Sequence, residues 1–184
     1  SMNKYDKRRK YYVVLDCETA TLPEAINYEG EERKNIAIAK PLIYDLGWKV
    51  IDAQGRTYAR KNYLISEIFS VPAIFDTAYY ASKRCIYLEK LAKGEITLTD
   101  WKTASAELVE DMDACVAVGA YNSMFDYKKA IPFTDLYISK LYSPDFHDWL
   151  NFQNKKLPWL ATGHRNENPN GFDETIFRFR GKEY

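Results

Sequence analysis

The segment Tyr11–Ala20, YYVVLDCETA, constrains this chain more than any other stretch. It follows the charged run Lys7-Arg8-Arg9-Lys10, opens with five apolar residues and gives way to Glu18-Thr19, a pattern that predicts a buried strand. Apolar side chains at consecutive positions suit a central strand covered on both faces better than an edge with one wet side. At its end stand Asp16 and Glu18, and side chains two apart on a strand point to the same face. Two carboxylates side by side at the tip of a buried strand each lose hydration worth several kcal/mol unless a cation neutralises them. A hard divalent ion such as Mg²⁺ is the simplest remedy, because it takes carboxylate oxygens and keeps part of its water. The plainer alternative turns Cys17 inward and leaves both acids on a solvated face beside a loop. For an isolated Asp-x-Glu that alternative is the commoner one, and here the apolar flank weighs against it.

Downstream, Leu42–Asp52 predicts a second strand, Gln54-Gly55 a turn and residues 56–65 a third strand pairing back, so three antiparallel strands open the chain. Residues 21–39, rich in Glu, Asn and Lys without a clear period, predict an excursion or flap outside the core. Residues 66–93 read as one or two helices ending at a Gly94 cap. Thr99 is expected to cap a helix over 100–112 that carries Trp101, Ala104, Leu108 and Met112 on one face. The run ACVAVGAY, residues 114–121, predicts a fully buried strand in a parallel or mixed part of the sheet. Ser123 is expected to cap a helix to about Lys140, kinked near Pro132. A short strand at 146–150, a polar loop at 163–171 and a last helix from Asp173 complete an α/β pattern with a mixed five-stranded sheet flanked by helices.

A chain of 184 residues fills one core, so residues 11–184 are read as a single domain. Residues 1–10 are read as a tag remnant, Ser1-Met2, followed by a basic arm that either touches phosphates or is simply solvated. With 26 basic and 26 acidic side chains the net charge is zero, which removes a whole-molecule pull on polyanions, so any nucleic-acid contact has to be local. Cys17, Cys85 and Cys115 are odd in number and lack a CxxC spacing, suggesting neither a disulfide framework nor a zinc site. No apolar run approaches the roughly 20 residues that span a bilayer and no signal peptide is apparent, so the expectation is a cytoplasmic protein without a membrane partner.

The second informative cluster is Asn122-Ser123-Met124-Phe125-Asp126, directly after the run ACVAVGAY. Asp126 falls on the first turn of the following helix, facing the strand ends, where it can supply another metal ligand and Asn122 can hydrogen-bond at the strand tip. An acid there also serves merely to stabilise the helix, by about 0.3 to 1 kcal/mol. Tyr79, Tyr80 and Phe125 are candidates for base stacking, worth roughly 1 to 3 kcal/mol per base. For most aromatics in a chain with 15 tyrosines, filling the core with a polar tip left wet is the commoner role.

Together, LDCETA (residues 15–20) and AYNSMFD (residues 120–126) resemble the first two motifs of the DEDD superfamily of DnaQ-like exonucleases, DxET after a hydrophobic strand and HNxxFD. LIYDLGW follows the family's hairpin pattern, and the run from there to AYNSMFD is most similar to phage and Gram-positive bacterial members. The resemblance implies a ribonuclease-H-like fold and 3′-to-5′ exonuclease activity with two Mg²⁺ or Mn²⁺ ions. The substrate would be single-stranded 3′ ends, DNA more than RNA, and the product nucleoside monophosphates. It implies that Asp16 bridges the ions, that Glu18 binds the ion activating water, and that Asp126 holds the second ion through water. It also implies that Thr19 contacts the terminal nucleotide, with Asn122 and Phe125 as further substrate contacts. Two ions about 3.5 to 4 Å apart stabilise both the attacking and the leaving oxygen.

The family's third motif, HxxxxD or YxxxD, is not found: His147 adjoins Asp148, and His164 precedes Asp173 by nine positions. The segment GFDETIFRFRGKEY resembles the helix before that motif, so the chain is read as stopping short of it, with weak or absent turnover expected. A catalytically incomplete module that binds nucleic-acid ends is the alternative.

Overall fold

A computed structural model of the chain describes residues 5–142 and 157–161. The first three strands are β1 (Tyr11–Ala20), β2 (Leu42–Asp52) and β3 (Thr57–Ile65), paired antiparallel as the alternation predicts. Their second connection is tight because Asp52 Oδ1 accepts from the backbone N–H groups of Gln54 and Arg56, at 2.9 and 3.0 Å, while Gly55 takes φ +82°. The strand β5 (Ala117–Ala120) pairs parallel to β1, and β6 (Trp159–Ala161) pairs parallel to β5. An edge strand, β4 (Thr97–Thr99), lies parallel to β3, giving a six-stranded mixed sheet among the described residues in the order β4-β3-β2-β1-β5-β6.

The α/β class therefore stands, while the strand count expected from sequence is corrected from five to six. Thr99 belongs to β4, and the helix α5 (Trp101–Asp113) is capped by Asp100, whose side chain accepts from Thr103 N–H at 2.7 Å. The expected apolar face of α5 is borne out, with Trp101, Ala104, Leu108 and Met112 all fully buried against the sheet. The expected strand over 114–121 shortens to β5, because Ala114 and Cys115 turn out of α5, their N–H groups bonding back to the Asp111 and Met112 carbonyls.

The expectation that residues 21–39 lie outside the core holds only for their second half: Thr21 is buried, Leu22 packs on the core, Ala25 is buried within a 3₁₀ turn over Pro23–Asn27, and only α1 (Gly30–Ala39) has no buried residue. The stretch 66–93 breaks into α2 (Ser66–Phe69), α3 (Pro72–Phe75), a 3₁₀ turn over Ala81–Lys83 and α4 (Arg84–Ala92). Pro72 accounts for one break, and Gly94, at φ +72°, follows the end of α4 as expected. The helix after β5 is also broken, into α6 (Ser123–Phe125), a π-helical turn over Asp126–Ala130, and α7 (Ile131–Tyr142). Asn122, not Ser123, is the N-cap residue. Pro132 explains the π turn: it has no N–H to give, and the N–H just before it, on Ile131, reaches back five residues to the Asp126 carbonyl.

The N-terminal arm is tied down. Tyr5 is buried and donates to Asp111 Oδ1 at 2.9 Å, its ring packed on Tyr11, while Arg9 reaches the Tyr58 hydroxyl at 3.1 Å and the Asp52 carboxylate at 3.6 Å. No helix among the described residues is long and apolar enough to cross a membrane. Cys17, Cys85 and Cys115 are all free. The strand expected at 146–150, the loop at 163–171, the helix from Asp173 and the residues His147, Asp148, His164 and Asp173 lie outside the described residues.

Candidate functional site

Residues directly opposite one another in neighbouring strands share a face of the sheet. Asp16, Gly47 and Asn62 form one such row across β1, β2 and β3, and Glu18 and Asp45 begin the next. Just beyond, the register slips, so that Glu18 faces Asp45 but Thr19 faces Ile43, leaving Tyr44 as the extra residue of a bulge. Bulges re-aim side chains and are frequent beside functional sites. These rows floor an open cavity of about 360 Å³, and its opposite wall is Tyr80 together with Lys83, Ile86, Tyr87 and Lys90.

The carboxylates in and behind this cavity are held in electrostatic discomfort. Burial pushes the Asp45 carboxyl up to about 6, the Asp16 charge adds to that, and Lys90 and a hydrogen bond with Tyr87 partly oppose it. Asp16 is also raised, chiefly by desolvation, although its tip opens to solvent. Asp126 is 7% exposed, and burial, reinforced by the Asp16 charge, raises it to about 6. Its Oδ1 accepts from the Cys17 thiol at 2.8 Å, which favours the charged form and so lowers its pKa.

That contact defines what is brought together. Asp16 and Glu18 point to the cavity face as their spacing predicts. Cys17 alternates toward the core and meets Asp126 there, so Asp126 sits behind the strand and does not line the cavity. Among the described residues no three His, Cys, Asp or Glu side chains form a group that could hold a metal ion as they stand. Thr19 is half-buried beyond the bulge. Asn122 is exposed, and its carbonyl accepts from the Phe125 and Asp126 N–H groups at 3.0 and 3.3 Å. Phe125 packs against the core rather than into the cavity. Of the two tyrosines considered for stacking, Tyr80 lines the cavity and Tyr79 is 90% exposed outside it.

Sequence reading missed Asp45, Asn62, Lys83, Tyr87 and Lys90. Asp45 carried a signal in the acidic position before Gly47 in LIYDLGW, but only the register places it opposite Glu18. Lys83, at the N-cap of α4, and Ile86, Tyr87 and Lys90 within it recur at i, i+3, i+4 and i+7, a helical stripe hidden by its mixed chemistry.

Comparison with protein-family models, with curated proteins and with solved structures gives no match.

Proposed function

We propose that this chain is a metal-dependent phosphodiester hydrolase of the ribonuclease-H-like class, working as a 3′-to-5′ exonuclease on single strands, DNA in preference to RNA. The observation that carries this reading is the trio Asp16, Glu18 and Asp45 at the floor of one open cavity. Burial raises the carboxyls of Asp16 and Asp45, and the Asp16 charge adds to the rise at Asp45, so a cation beside them would favour their charged forms. The order β3-β2-β1-β5-β6, with β2 antiparallel to its neighbours, is compatible with the ribonuclease-H-like topology implied by the motifs, and β4 is an addition at the edge.

The donor chemistry suits Mg²⁺ or Mn²⁺. Mg²⁺ commonly takes one or two carboxylates, keeps several waters and completes its shell with substrate phosphate. Asp16 and Glu18 meet that need without a preformed protein cage. When bound, the ion would activate water and offset charge on the phosphoryl oxygens. Asp16 and Glu18 hold it from the strand, and Asp45, anchored by Tyr87, adds negative charge beside Asp16 that strengthens cation binding. A second ion at Asp126 would have to share its carboxylate with the Cys17 thiol, which already bonds Oδ1.

The test is shortening of a 5′-labelled single-stranded DNA. With Mg²⁺ or Mn²⁺ the protein is expected to give a slow ladder, weak because the third motif is not found, that EDTA abolishes, and Asp16→Asn or Glu18→Gln to slow it by about a hundredfold or more. Undiminished activity in either variant refutes the reading, and cleavage of a closed circular strand points to an endonuclease. The Cys17–Asp126 contact favours a second reading, a catalytically incomplete module for strand ends. It binds single strands and never shortens them.

A further inference from the structure

The wall of the cavity is as informative as its floor. Lys83, at the N-cap of α4, and Lys90, in its last turn, stand at the two ends of the stripe facing the cavity, seven residues or about 10 Å apart along the helix direction. Both face a floor carrying three carboxylates, where the Lys90 charge partly offsets that of Asp45. Lys83 lies over the Tyr80 ring, 4.6 Å from its centre. Two cations held apart in this way, with aromatic surface beside and between them, are the elements of a groove that tracks a single-stranded backbone.

The floor also contributes a neutral polar group. Asn62 leans over Gly47, its Oδ1 only 2.9 Å from where a Cβ on residue 47 would stand. The absence of a side chain at Gly47 is thus what lets the Asn62 amide lie in the cavity next to Asp16. An amide offers both donors and an acceptor, so it can bond to a base edge or a sugar whatever the charge nearby.

We infer that the cavity-facing side of α4 grips the phosphate backbone of a single strand, Lys83 and Lys90 contacting phosphates on either side of the nucleotide that Asn62 hydrogen-bonds. The inference rests on the nuclease reading only for what happens to the strand once bound. It gives Lys83, Lys90 and Asn62 positioning roles and explains how a protein of zero net charge holds a polyanion over an acidic floor. The opposing charges also orient the strand: backbone phosphates are drawn to the wall and repelled from the floor unless a cation lies there.

Binding separates this from catalysis. The probe is a fluorescein-labelled oligo(dT), its anisotropy followed at several salt concentrations, with EDTA and with Ca²⁺. Lys83→Ala with Lys90→Ala is expected to weaken binding about tenfold, roughly threefold for each lost contact. It should also flatten the plot of log affinity against log salt by about 1.4, or 0.7 per phosphate on a single strand. Asn62→Ala should lower affinity and leave that slope unchanged, and Lys102→Ala, at an exposed site on α5, should alter neither. Wild-type affinity and slope in the double lysine variant overturn the inference, as does a wild-type protein that shows no saturable binding. Binding that depends on both lysines without metal-dependent shortening sustains the inference and sinks the nuclease reading.

Discussion

Replacing Asp126 with Asn should make the protein more stable at neutral pH. In the folded chain the Asp126 carboxyl titrates at about 6 against an ordinary value of 3.8, because burial penalises its charge and the nearby Asp16 adds repulsion. A carboxyl raised by folding binds its proton more tightly in the folded state than in the unfolded one. Its contribution to stability is therefore fully present below pH 3.8, falls as pH rises, and is lost once pH passes about 6. A shift of about two units corresponds to about 3 kcal/mol. Asn is close in shape, its carbonyl still accepts from the Cys17 thiol, and it carries no charge. Allowing for the burial of the new amide, Asp126→Asn should be stabilised by about 2 kcal/mol at pH 7.5 and little changed at pH 4. Urea unfolding followed by far-ultraviolet circular dichroism measures this directly: with a slope near 2 kcal/mol/M, the midpoint at pH 7.5 should rise by about 1 M. An unchanged or lower midpoint at pH 7.5 would refute the argument that this carboxylate is held against its electrostatic preference.

Other perturbations test other parts of the structure. Cys17→Ala removes the hydrogen bond that favours the charged form of Asp126, so the Asp126 carboxyl, followed by ¹³C NMR, should titrate above its present value of about 6, and Cys17→Ser should largely restore it. Gly47→Ala forces the Asn62 amide aside by inserting a methyl 2.9 Å from its oxygen; the side chain can swing away, so urea unfolding should show a loss of about 1 kcal/mol or less while oligonucleotide affinity drops in the anisotropy assay. Leu108→Ala opens a hole under α5 at a fully buried position, and the same urea measurement should report a loss of about 2 to 5 kcal/mol.

How much of this was legible in the sequence depended on whether a signal was local and apolar. β1 and the buried face of α5 could be read because their periods are written in hydrophobic residues. β4 escaped because three residues, Thr97–Thr99, sit against a capping signal that can be assigned to either Thr99 or Asp100, and only the Asp100 side chain makes the bond. α1 escaped because a helix without a buried residue leaves no apolar period. In the site, Asp16 and Glu18 were readable from their spacing together with the apolar run before them. Asp45 and Asn62 acquire meaning only through cross-strand register, and the position of Asp126 behind β1 follows from the alternation that turns Cys17 inward. The motif that singled out Asp126 fixes its place in the chain, not the direction in which its carboxyl points.

The same alternation explains why a site exists at this end of the sheet at all. On the face shared by Tyr12, Val14, Asp16 and Glu18, the first rows close over a small apolar cluster with Ile51, Ala117 and Leu160. Opposite Val14 stand Lys49 and Arg60 on β2 and β3, opposite Asp16 come Gly47 and Asn62, and opposite Glu18 comes Asp45. Along one strand face the chemistry thus runs from apolar through cationic and amide to acidic over four rows, in three steps of two residues. The other face of β1 is covered throughout by the main core. The sheet can afford its acidic end because the rows before it and the core behind it supply the burial that holds the strands in place, and α4, contributing no buried residue of its own, is left to form the polar far wall.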